Sequence, residues 1–386
     1  MAKPKNNILF VLPQLSTGGT EKVVFELAKK FEEHFIKTYV VAFRQGELEK
    51  EFKNTCHGVY IVPKRNGIDS KTMLKIANII KNKNIQIVNA HHYMPFFYSY
   101  LGSRIFNVRK FIYTEHSVAE VELIHGIYKH ILNIMLNRNT YIVGVSNEIT
   151  DSFNKMFPEK KKKFYSIPNG IDIEKFANHG NRNEVLKSLN LSKNNIVIGN
   201  VANFRKIKNH SCLIKAFNIL AKRVSDARLV IVGSGFHGDL ENSEETCRKL
   251  IKSYGIESKV RLTGYIEDIP RILSGFDIFC LSSFSEGLPV SILEAMAAKL
   301  PVVASNVRGI KEVVFHNQTG LLFPSDDTLA LANTFERLIS DINLRHRIIN
   351  NAFDWVIKNH ALKGWIKKYL DLFDYNDKVA DKLRLN

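Results

Sequence analysis

The chain has 386 residues, of which 45% are hydrophobic, and a formal net charge of +17. This length exceeds that of one ordinary hydrophobic core, so two domains are predicted. No stretch reaches about 18 uncharged apolar residues, which argues against a membrane-spanning helix. Residues 1–180 carry 26 Lys/Arg against 16 Asp/Glu, a net charge of +10 that leaves +7 for the remainder. This excess indicates an anionic partner: a nucleic acid, an acidic membrane surface or a phosphorylated small molecule.

The amino terminus and the cysteines predict a cytoplasmic protein. Residues 1–13 run straight into a strand, without the long apolar core and cleavage site of a signal peptide. Cys56, Cys212, Cys247 and Cys280 have no close pair and no metal-type spacing, so reduced structural thiols are expected.

Short apolar runs alternate with amphipathic helices along the whole chain, which is typical of parallel sheets flanked by helices. A polar connection at about residues 172–194 separates two such sets. We therefore predict an α/β fold of two Rossmann-like domains facing each other across a cleft. The predicted divisions are residues 1–172, 173–365 and a helical tail, 366–386, that returns to the first domain. The predicted strands are ILFVLP, TYVVAF, IQIVNAH, KFIYTEH and TYIVGVS, then IVIGNVANF, ARLVIVG, KVRLTG, DIFCLS, LPVVAS and TGLLF.

Ligands of such sheets gather at the carboxyl ends of the strands, so the loops there are candidates for binding. After the first strand, Gly18 and Gly19 precede a helix that opens near Thr20. This loop either approaches a diphosphate closely or is simply a tight strand-to-helix turn. Near the carboxyl terminus of the chain, a different pattern predicts core packing. There, one helical face is shared by Trp365, Tyr369, Leu372 and Phe373.

A second loop follows the first strand of the second half. Arg205, Lys206 and Lys208 cluster there, beside a helix that begins around Asn209. Cations and helix amides can converge on a departing phosphate at such a place, although a basic loop of a basic protein is also often merely solvated.

A glycine-rich segment after the next strand, Gly233-x-Gly235-x-x-Gly238, superficially matches a dinucleotide-binding fingerprint. Its third glycine is separated from the following helix by a polar run, and the acidic residue expected about 20 positions on is missing. NAD binding is therefore not predicted.

Residues 284–305 contain two glutamates around a helix start. Glu286 lies in the loop after the strand DIFCLSS, and Pro289 suits the first turn of the helix that follows. On that helix Ser291 and Glu294 share one face. A carboxylate near a helix start or on a helix surface is often structural, but a carboxylate also accepts hydrogen bonds from two adjacent hydroxyls of a sugar or ribose.

The segment SEGLPVSILEAMA, with Glu286-x7-Glu294, resembles the E-x7-E motif of retaining, GT-B-fold glycosyltransferases of family 4. The resemblance extends over nearly the whole chain, through the ordered motifs GGTEKVV, VSNEI, IPNGID, KNH, LVIVGSG, SNVRGIKEVV and TGLLFPSDD. It implies transfer of a sugar from a nucleotide diphosphate donor, a UDP-sugar in preference to a GDP-sugar, with retention of anomeric configuration. No metal or other cofactor is expected.

By the same resemblance, the second domain binds the donor. Glu294 is expected to bind the ribose hydroxyls and Glu286 those of the donor sugar, while Lys208 neutralises the leaving diphosphate. His116, at a strand end, corresponds to the family's active-site histidine. Where the family usually has arginine this chain has Asn203, so Arg205 is expected to replace it. The other implied donor-binding residues are Gly18, Gly19, Gly233, Gly287, Leu288, Val290 and Ser291.

The acceptor, a glycan or a lipid-linked glycan in cell-surface polysaccharide or glycoconjugate synthesis, is expected on the first domain. Residues 91–106 and 118–137 are aromatic and apolar with interspersed bases, and residues 159–163 add four lysines. Core packing explains many of these positions, and peripheral contact with the anionic inner face of the plasma membrane explains the bases. A metal site of His91, His92 and His116 is not predicted, because no carboxylate or cysteine spacing supports it.

Two other functions remain open on the sequence. A GT-B-like sugar-nucleotide epimerase would share the cleft and the phosphate loop. A nucleic-acid-binding protein would explain the charge, but no recognised module is visible, so no nucleic-acid partner is predicted.

Overall fold

The computed structural model of the chain describes residues 7–177, 180–235 and 242–373. The chain divides into two compact units, one comprising residues up to 170 together with those from 363 onward, the other residues 171–362. The boundaries expected from the sequence, 172 and 365, lie two and three residues from these divisions.

The first unit is built on a seven-stranded parallel sheet with the order β3-β2-β1-β4-β5-β6-β7. Its strands are β1 (Asn7–Leu12), β2 (Thr38–Ala42), β3 (Gly58–Ile61), β4 (Ile85–His91), β5 (Lys110–Glu115), β6 (Thr140–Gly144) and β7 (Phe164–Ser166). Its helices are α1 (Gly19–Glu33), α2 (Glu49–Thr55), α3 (Ser70–Asn82), α4 (Tyr93–Ile105), α5 (Val118–Glu122), α6 (Gly126–Met135) and α7 (Asn147–Met156), with a 3-10 turn at Pro158–Lys163.

The second unit has a six-stranded parallel sheet with the order β10-β9-β8-β11-β12-β13. Its strands are β8 (Ile196–Val201), β9 (Ala227–Val232), β10 (Val260–Leu262), β11 (Ile278–Leu281), β12 (Val302–Ser305) and β13 (Leu321–Phe323). Its helices are α8 (Ile173–Ala177), α9 (Arg182–Ser188), α10 (His210–Arg223), α11 (Glu244–Ser253), α12 (Ile269–Leu273), α13 (Val290–Ala297), α14 (Thr328–Ser340) and α15 (Ile342–His360), with 3-10 turns at Lys206–Lys208 and Ile310–Glu312.

The last helix, α16 (Leu362–Leu372), packs on the first unit. Lys110 and Arg109, at the start of β5, donate hydrogen bonds of 2.6 Å to the carbonyl oxygens of Leu372 and Phe373. The Phe373 ring packs edge to face on Phe31 of α1 with centroids 5.7 Å apart. The buried stripe and the return of the tail predicted from sequence are confirmed, and residues 374–386 lie outside the described part.

Every strand predicted from the sequence is present. The central strands are buried on both faces and read as apolar runs, and the edge strands β10 and β13 of the second sheet were predicted as well. Two strands of the first sheet were not predicted. β3 and β7 lie at the two edges of that sheet, and all four residues of β3 are only half-buried. An edge strand does not need a continuous apolar run, so composition gives little sign of it.

Burial keeps the four cysteines as thiols. All four are unpaired, and burial raises the pKa of Cys56 and of Cys247 to about 12 and that of Cys212 to about 11. Across the described ranges, no helix is both long and apolar enough to cross a membrane.

Candidate functional site

In the second unit, the two loops singled out from the sequence meet at the carboxyl edge of the sheet. Lys208 follows β8 and Glu286 follows β11, and these two strands are neighbours. The ammonium nitrogen of Lys208 lies 2.7 Å and 2.9 Å from the two carboxylate oxygens of Glu286. The side chains are 22% and 10% exposed, so this ion pair is mostly desolvated.

Backbone and serine contacts hold the two loops together. Phe284 donates its backbone N–H to the carbonyl of Ile207 at 2.8 Å, and the Ser282 hydroxyl donates to the Lys208 and Asn209 carbonyls. The Ser283 hydroxyl donates to the Glu286 carboxylate at 2.5 Å. The position of Glu286 is thus fixed by a cation on one side and a hydroxyl on the other.

A glycine allows a third loop to approach. Gly309 has φ of +73°, and a Cβ there would overlap the carbonyl oxygens of Glu286 and Gly287. This close backbone approach explains why the motif SNVRGIKEVV contains glycine at that point. The loop after β12 therefore supports the back of the Glu286 loop.

Helix α13 carries the second glutamate. It begins at Val290 with Pro289 as its N-cap, so the proline stands one residue earlier than the expected first turn. Glu294 and Ser291 are half-buried on one face, whereas Leu293 and Met296 are buried on the other. Gly287 and Leu288 are buried in the preceding loop, and Val290 is half-buried. The expected division of this helix into a polar and an apolar side is present.

Arg205, which was expected to replace the family's arginine, is the most exposed of the predicted donor-binding residues of the second unit. Arg205 is exposed and forms an isolated antiparallel bridge with Asn242 through its backbone. Asn203, at the position where arginine was expected, has a buried side-chain oxygen without a hydrogen-bond partner among the described residues. The structure thus leaves a buried polar atom at the position of the missing arginine.

Gly233 is required by the backbone around it. Its φ is +147°, its N–H donates to the carbonyl of Gly264 at 2.9 Å, and a Cβ would overlap the Ala202 carbonyl. Helix α11 begins only at Glu244, and Gly238 lies outside the described residues. The glycine therefore serves close packing of two strand-end loops.

Beneath the Lys208 loop, a buried histidine connects the strands. His210, the first residue of α10, has its Nε2 atom 3.2 Å from the Asn200 side-chain oxygen, and Asn200 donates to the Cys280 carbonyl of β11. Burial, with a smaller contribution from the positive charge of Lys208, lowers the pKa of His210 to about 3. The neutral ring is thus a structural support for the strands that carry the ion pair.

In the first unit, the Gly18–Gly19 loop holds a carboxylate. Helix α1 begins at Gly19 as expected. A Cβ on Gly18 would overlap the carboxylate of Glu21, whereas a Cβ on Gly19 would meet nothing within 4 Å. Burial raises the pKa of Glu21, although its own backbone N–H and the nearby His92 oppose that rise. The space beside Gly18 that was considered for a diphosphate is therefore lined by an acidic side chain.

His116 lies just after β5 and is paired with a second histidine. The Nε2 atom of His116 is 2.8 Å from Nδ1 of His91, whose own Nε2 is buried without a partner among the described residues. Burial and the neighbouring histidines hold the pKa of both rings well below 6.5. Because a buried unpaired acceptor costs less than a buried unpaired donor, the favoured arrangement has His91 donating from Nδ1, which leaves the His116 proton on Nδ1.

His92 is the charged histidine of this group. Its Nδ1 atom lies 3.2 Å from a Glu115 oxygen and 3.0 Å from a Glu120 oxygen, and its Nε2 is 3.2 Å from the Thr20 hydroxyl at the start of α1. Burial alone would lower the pKa of His92, but the two carboxylates raise it well above 6.5. An imidazolium therefore links the Gly18–Gly19 helix start to the end of β5.

Three of these side chains, His92, Glu115 and Glu120, are also the candidate metal ligands among the described residues. One ligand atom each from His92, Glu115 and Glu120 lies within 4.8 Å of the others. The sequence spacing gave no sign of these two carboxylates, which reach His92 only in the folded unit. In its protonated form His92 donates at Nδ1 to the carboxylates as an ion pair, and a metal ion at this place would have to displace that proton.

Glu115 organises this network and was missed by the sequence reasoning. One of its oxygens accepts the backbone N–H groups of His116 and Ser117 at 2.7 Å and 2.9 Å, and the other accepts the Tyr113 hydroxyl at 2.5 Å. It is fully buried. Its place in the run YTEHS, immediately before His116, is the signal that would have identified it.

The fold and the site together define a class. Two Rossmann-like units, each with a parallel sheet, are the architecture of the GT-B fold, and in this chain an acidic and a basic residue are paired at the carboxyl edge of the second sheet. The crystal structure of Anabaena HepE in complex with UDP-glucose superposes with a TM-score of 0.84, covering 96% of this chain and 100% of that one at 20% identity.

Sequence comparison establishes the family. The profile described as Glycosyl transferases group 1 matches residues 181–355, and that described as Glycosyltransferase Family 4 matches residues 17–175. Together the two profiles cover most of the chain, which belongs to the GT-B glycosyltransferases of group 1 and family 4.

Two relatives illustrate how far the similarity extends. The Escherichia coli UDP-Gal:alpha-D-GlcNAc-diphosphoundecaprenol alpha-1,3-galactosyltransferase is 28% identical over 322 residues, which is 81% of each chain. The Bacillus anthracis N-acetyl-alpha-D-glucosaminyl L-malate synthase is 24% identical over 370 residues, 93% of this chain and 94% of its own.

Proposed function

We propose that the protein transfers a sugar, with retention of anomeric configuration and without a metal, from a UDP-sugar to a glycan or lipid-linked acceptor in cell-surface polysaccharide or glycoconjugate synthesis. The observation that carries the proposal is the Lys208–Glu286 pair at the carboxyl ends of β8 and β11. It joins a cation suited to a phosphate and a carboxylate suited to sugar hydroxyls in one desolvated place.

The pair suggests how the donor binds. Without a donor, the two opposite charges compensate each other. A bound diphosphate competes with Glu286 for the Lys208 ammonium, and the released carboxylate oxygens then accept hydrogen bonds from the donor sugar. Ser283 keeps the carboxylate in place during this exchange. Glu294, which is half-buried on the face of α13 that it shares with Ser291, is proposed to accept hydrogen bonds from the ribose hydroxyls.

The transition state gives the lysine its proposed catalytic role. As the glycosidic bond breaks, positive charge develops on the sugar and negative charge on the departing diphosphate. A preorganised donor aimed at such charge is typically worth about 2.7–4 kcal/mol. Lys208 is proposed to supply this stabilisation of the departing diphosphate, with Arg205 in support. On the family resemblance, His116 is proposed to act near the reacting sugar, and its contact with His91 and its burial favour the neutral ring.

The names of similar proteins support the donor and acceptor classes. The Escherichia coli relative is named for UDP-galactose and a diphosphoundecaprenol-linked acceptor, and the Anabaena structure contains UDP-glucose. Both relatives reported above are named for transfer or synthesis, which favours transfer over epimerisation.

An exposed apolar surface on the first unit supports the proposal of a lipid-linked acceptor and of a cytoplasmic protein at the inner face of the membrane. On α6, Ile127, Tyr128 and Ile134 are 64%, 52% and 62% exposed. Lys160 donates to the Asn133 carbonyl of α6 at 2.7 Å, so the lysine-rich turn Pro158–Lys163 lies beside this helix. Exposed apolar side chains flanked by lysines suit an anionic lipid surface.

The central test is a panel of UDP-, GDP- and ADP-sugars read by thermal shift, followed by NMR of the products with and without acceptor. We expect stabilisation by UDP-sugars and a transferred sugar of unchanged anomeric configuration, with or without EDTA. Isomerised donor without an acceptor would support an epimerase instead, and no binding of any nucleotide would refute both enzymes. Loss of activity with EDTA would refute metal independence.

Variants separate the roles. Glu294→Gln is expected to weaken UDP-sugar binding about tenfold, the cost of losing a hydrogen bond to a charged group, while the exposed Glu257→Gln serves as a control. For the membrane surface, Ile127→Ser with Ile134→Ser should reduce sedimentation with vesicles containing phosphatidylglycerol. Ile68→Ser, which alters another exposed side chain of the same unit, should not.

A further inference from the structure

A pocket of the second unit lies away from the donor loops. It has a volume of about 390 Å³ and is lined by Phe315, Gln318, Thr319, Asn351, Asp354 and Trp355. These residues come from the segment before β13 and from the middle of α15. Lys208 and Glu286 follow strands β8 and β11, whereas this segment precedes a strand of the same parallel sheet. The pocket is therefore at the amino edge, opposite the ion pair.

The pocket walls are aromatic. The rings of Phe315 and Trp355 meet at 78° with centroids 5.6 Å apart, and Trp355 also contacts the buried His360 at 4.9 Å. Phe315 is 37% exposed and Trp355 is half-buried. An edge-to-face pair fixed from behind presents a rigid apolar surface at little entropic cost.

The segment that carries Phe315 is held by its own hydrogen bonds. Thr319 accepts the backbone N–H of Phe315 at 2.9 Å and donates to the Val313 carbonyl at 3.2 Å. Asn317 has φ of +61° and donates its backbone N–H to the Gly320 carbonyl. The Asn351 amide donates to the Gln318 carbonyl at 3.2 Å, which ties the segment to α15. The pocket is thus formed before any ligand arrives.

Two polar side chains of the pocket, those of Asp354 and Gln318, remain available. The carboxylate of Asp354 and the side-chain amide of Gln318 have no hydrogen-bond partner within the described part of the chain. A carboxylate accepts from two neighbouring hydroxyls, and an amide both donates and accepts. The pocket's single ionisable lining group is acidic although the chain carries a net charge of +17, so the lining favours a neutral ligand over a phosphate.

We propose that this pocket binds a neutral saccharide chain at a site separate from the donor site. Apolar faces of pyranose rings suit the Phe315 and Trp355 surfaces, and their hydroxyls suit Asp354 and Gln318. The volume lies within the range of about 300–1,000 Å³ typical of small-molecule sites. Such a site would hold a glycan on the enzyme without taking part in the reaction.

The chain offers its own reporter. It contains two tryptophans, Trp355 and Trp365, and Trp365 is only 2% exposed. Tryptophan emission is therefore to be titrated with maltoheptaose, cellohexaose and a galacto-oligosaccharide, and separately with inorganic phosphate. We expect a saturable change with at least one oligosaccharide and none with phosphate. No saturable change with any sugar up to its solubility limit, or a response to phosphate alone, would overturn the proposal.

Variants locate the site, with calorimetry as a second readout. Asp354→Ala and Gln318→Ala alter exposed side chains and are each expected to weaken saccharide binding, Asp354→Ala by about tenfold. Lys358→Ala, on the exposed side of the same helix, should leave it unchanged. Saccharide binding should persist in Lys208→Ala, and UDP binding should persist in Asp354→Ala. If Asp354→Ala leaves saccharide binding unchanged, or if it abolishes UDP binding as well, the proposal of a separate site is wrong.

Discussion

The Lys208–Glu286 ion pair makes a quantitative prediction about the donor-free protein. At 2.7 Å, two unit charges attract by about 6 kcal/mol at an effective dielectric constant of about 20. Desolvation of both groups offsets much of this attraction, and hydrogen bonds to charged groups contribute about 1.5–3 kcal/mol net. We therefore expect Lys208→Met and Glu286→Gln to be coupled by about 1.5–3 kcal/mol in a double-mutant cycle.

Thermal unfolding of the full chain measures this coupling. For a unit of this size, 1 kcal/mol corresponds to about 2–4 °C in Tm, so the double variant should unfold about 3–12 °C above the value expected from adding the two single effects. Lys193→Met, which removes an exposed lysine of the same unit, is the control and should be additive with Glu286→Gln. Additivity within about 0.5 kcal/mol for the Lys208 cycle would refute the pair.

Repeating the cycle with UDP separates the structural pair from its proposed role. Saturation at about 100 times Kd stabilises a protein by about 2.7 kcal/mol. If Lys208 transfers from Glu286 to the diphosphate, the coupling between the two residues should shrink when UDP is bound. A coupling unchanged by UDP would show that the lysine stays with the glutamate and that another group meets the phosphate.

Three further predictions concern single residues. Gly233→Ala should lower the free energy of unfolding by at least about 1–3 kcal/mol, as measured by urea denaturation, because φ is +147° and a backbone carbonyl fills the Cβ position. Gly18→Ala should destabilise the protein through overlap with Glu21, whereas Gly19→Ala, with open space around it, should be close to neutral; equal effects would contradict the packing argument. Burial lowers the pKa of His210 to about 3, so between pH 6.5 and 3 the unfolded chain binds a proton there that the folded chain does not, and stability falls as the pH falls. From pH 6.5 to 5 the loss should be about 1.5 kcal/mol, and His210→Gln should remove that part of the slope in pH-dependent unfolding.

Much of the fold could be predicted from the sequence because buried parallel strands need apolar residues on both faces. The central strands, such as Ile85–His91 and Ile278–Leu281, are therefore visible as apolar runs, and the helices between them as amphipathic segments. The strands Gly58–Ile61 and Phe164–Ser166 were missed, because they are short edge strands of the first sheet whose residues are mostly not buried, so their composition is less constrained.

The residues of the candidate site could be predicted from the sequence, but their contacts could not. Lys208, Glu286 and Glu294 stand at strand ends and a helix start, which sequence periodicity locates, so their candidacy needed no coordinates. That Lys208 and Glu286 bind each other was decided by the tertiary structure, because 78 residues separate them and only the adjacency of β8 and β11 joins their loops.

The strand-and-helix alternation, the family and the residue types at the strand ends are thus readable from the amino-acid sequence. Which charges compensate each other follows from the tertiary structure. It brought Glu115 and Glu120 to His92, filled the space beside Gly18 with Glu21, and assembled the aromatic pocket from two distant segments. It also left the side-chain oxygen of Asn203 without a partner among the residues that the structure describes. The physical reason is that hydrogen bonding and desolvation depend on distances of a few ångströms between residues far apart in the chain.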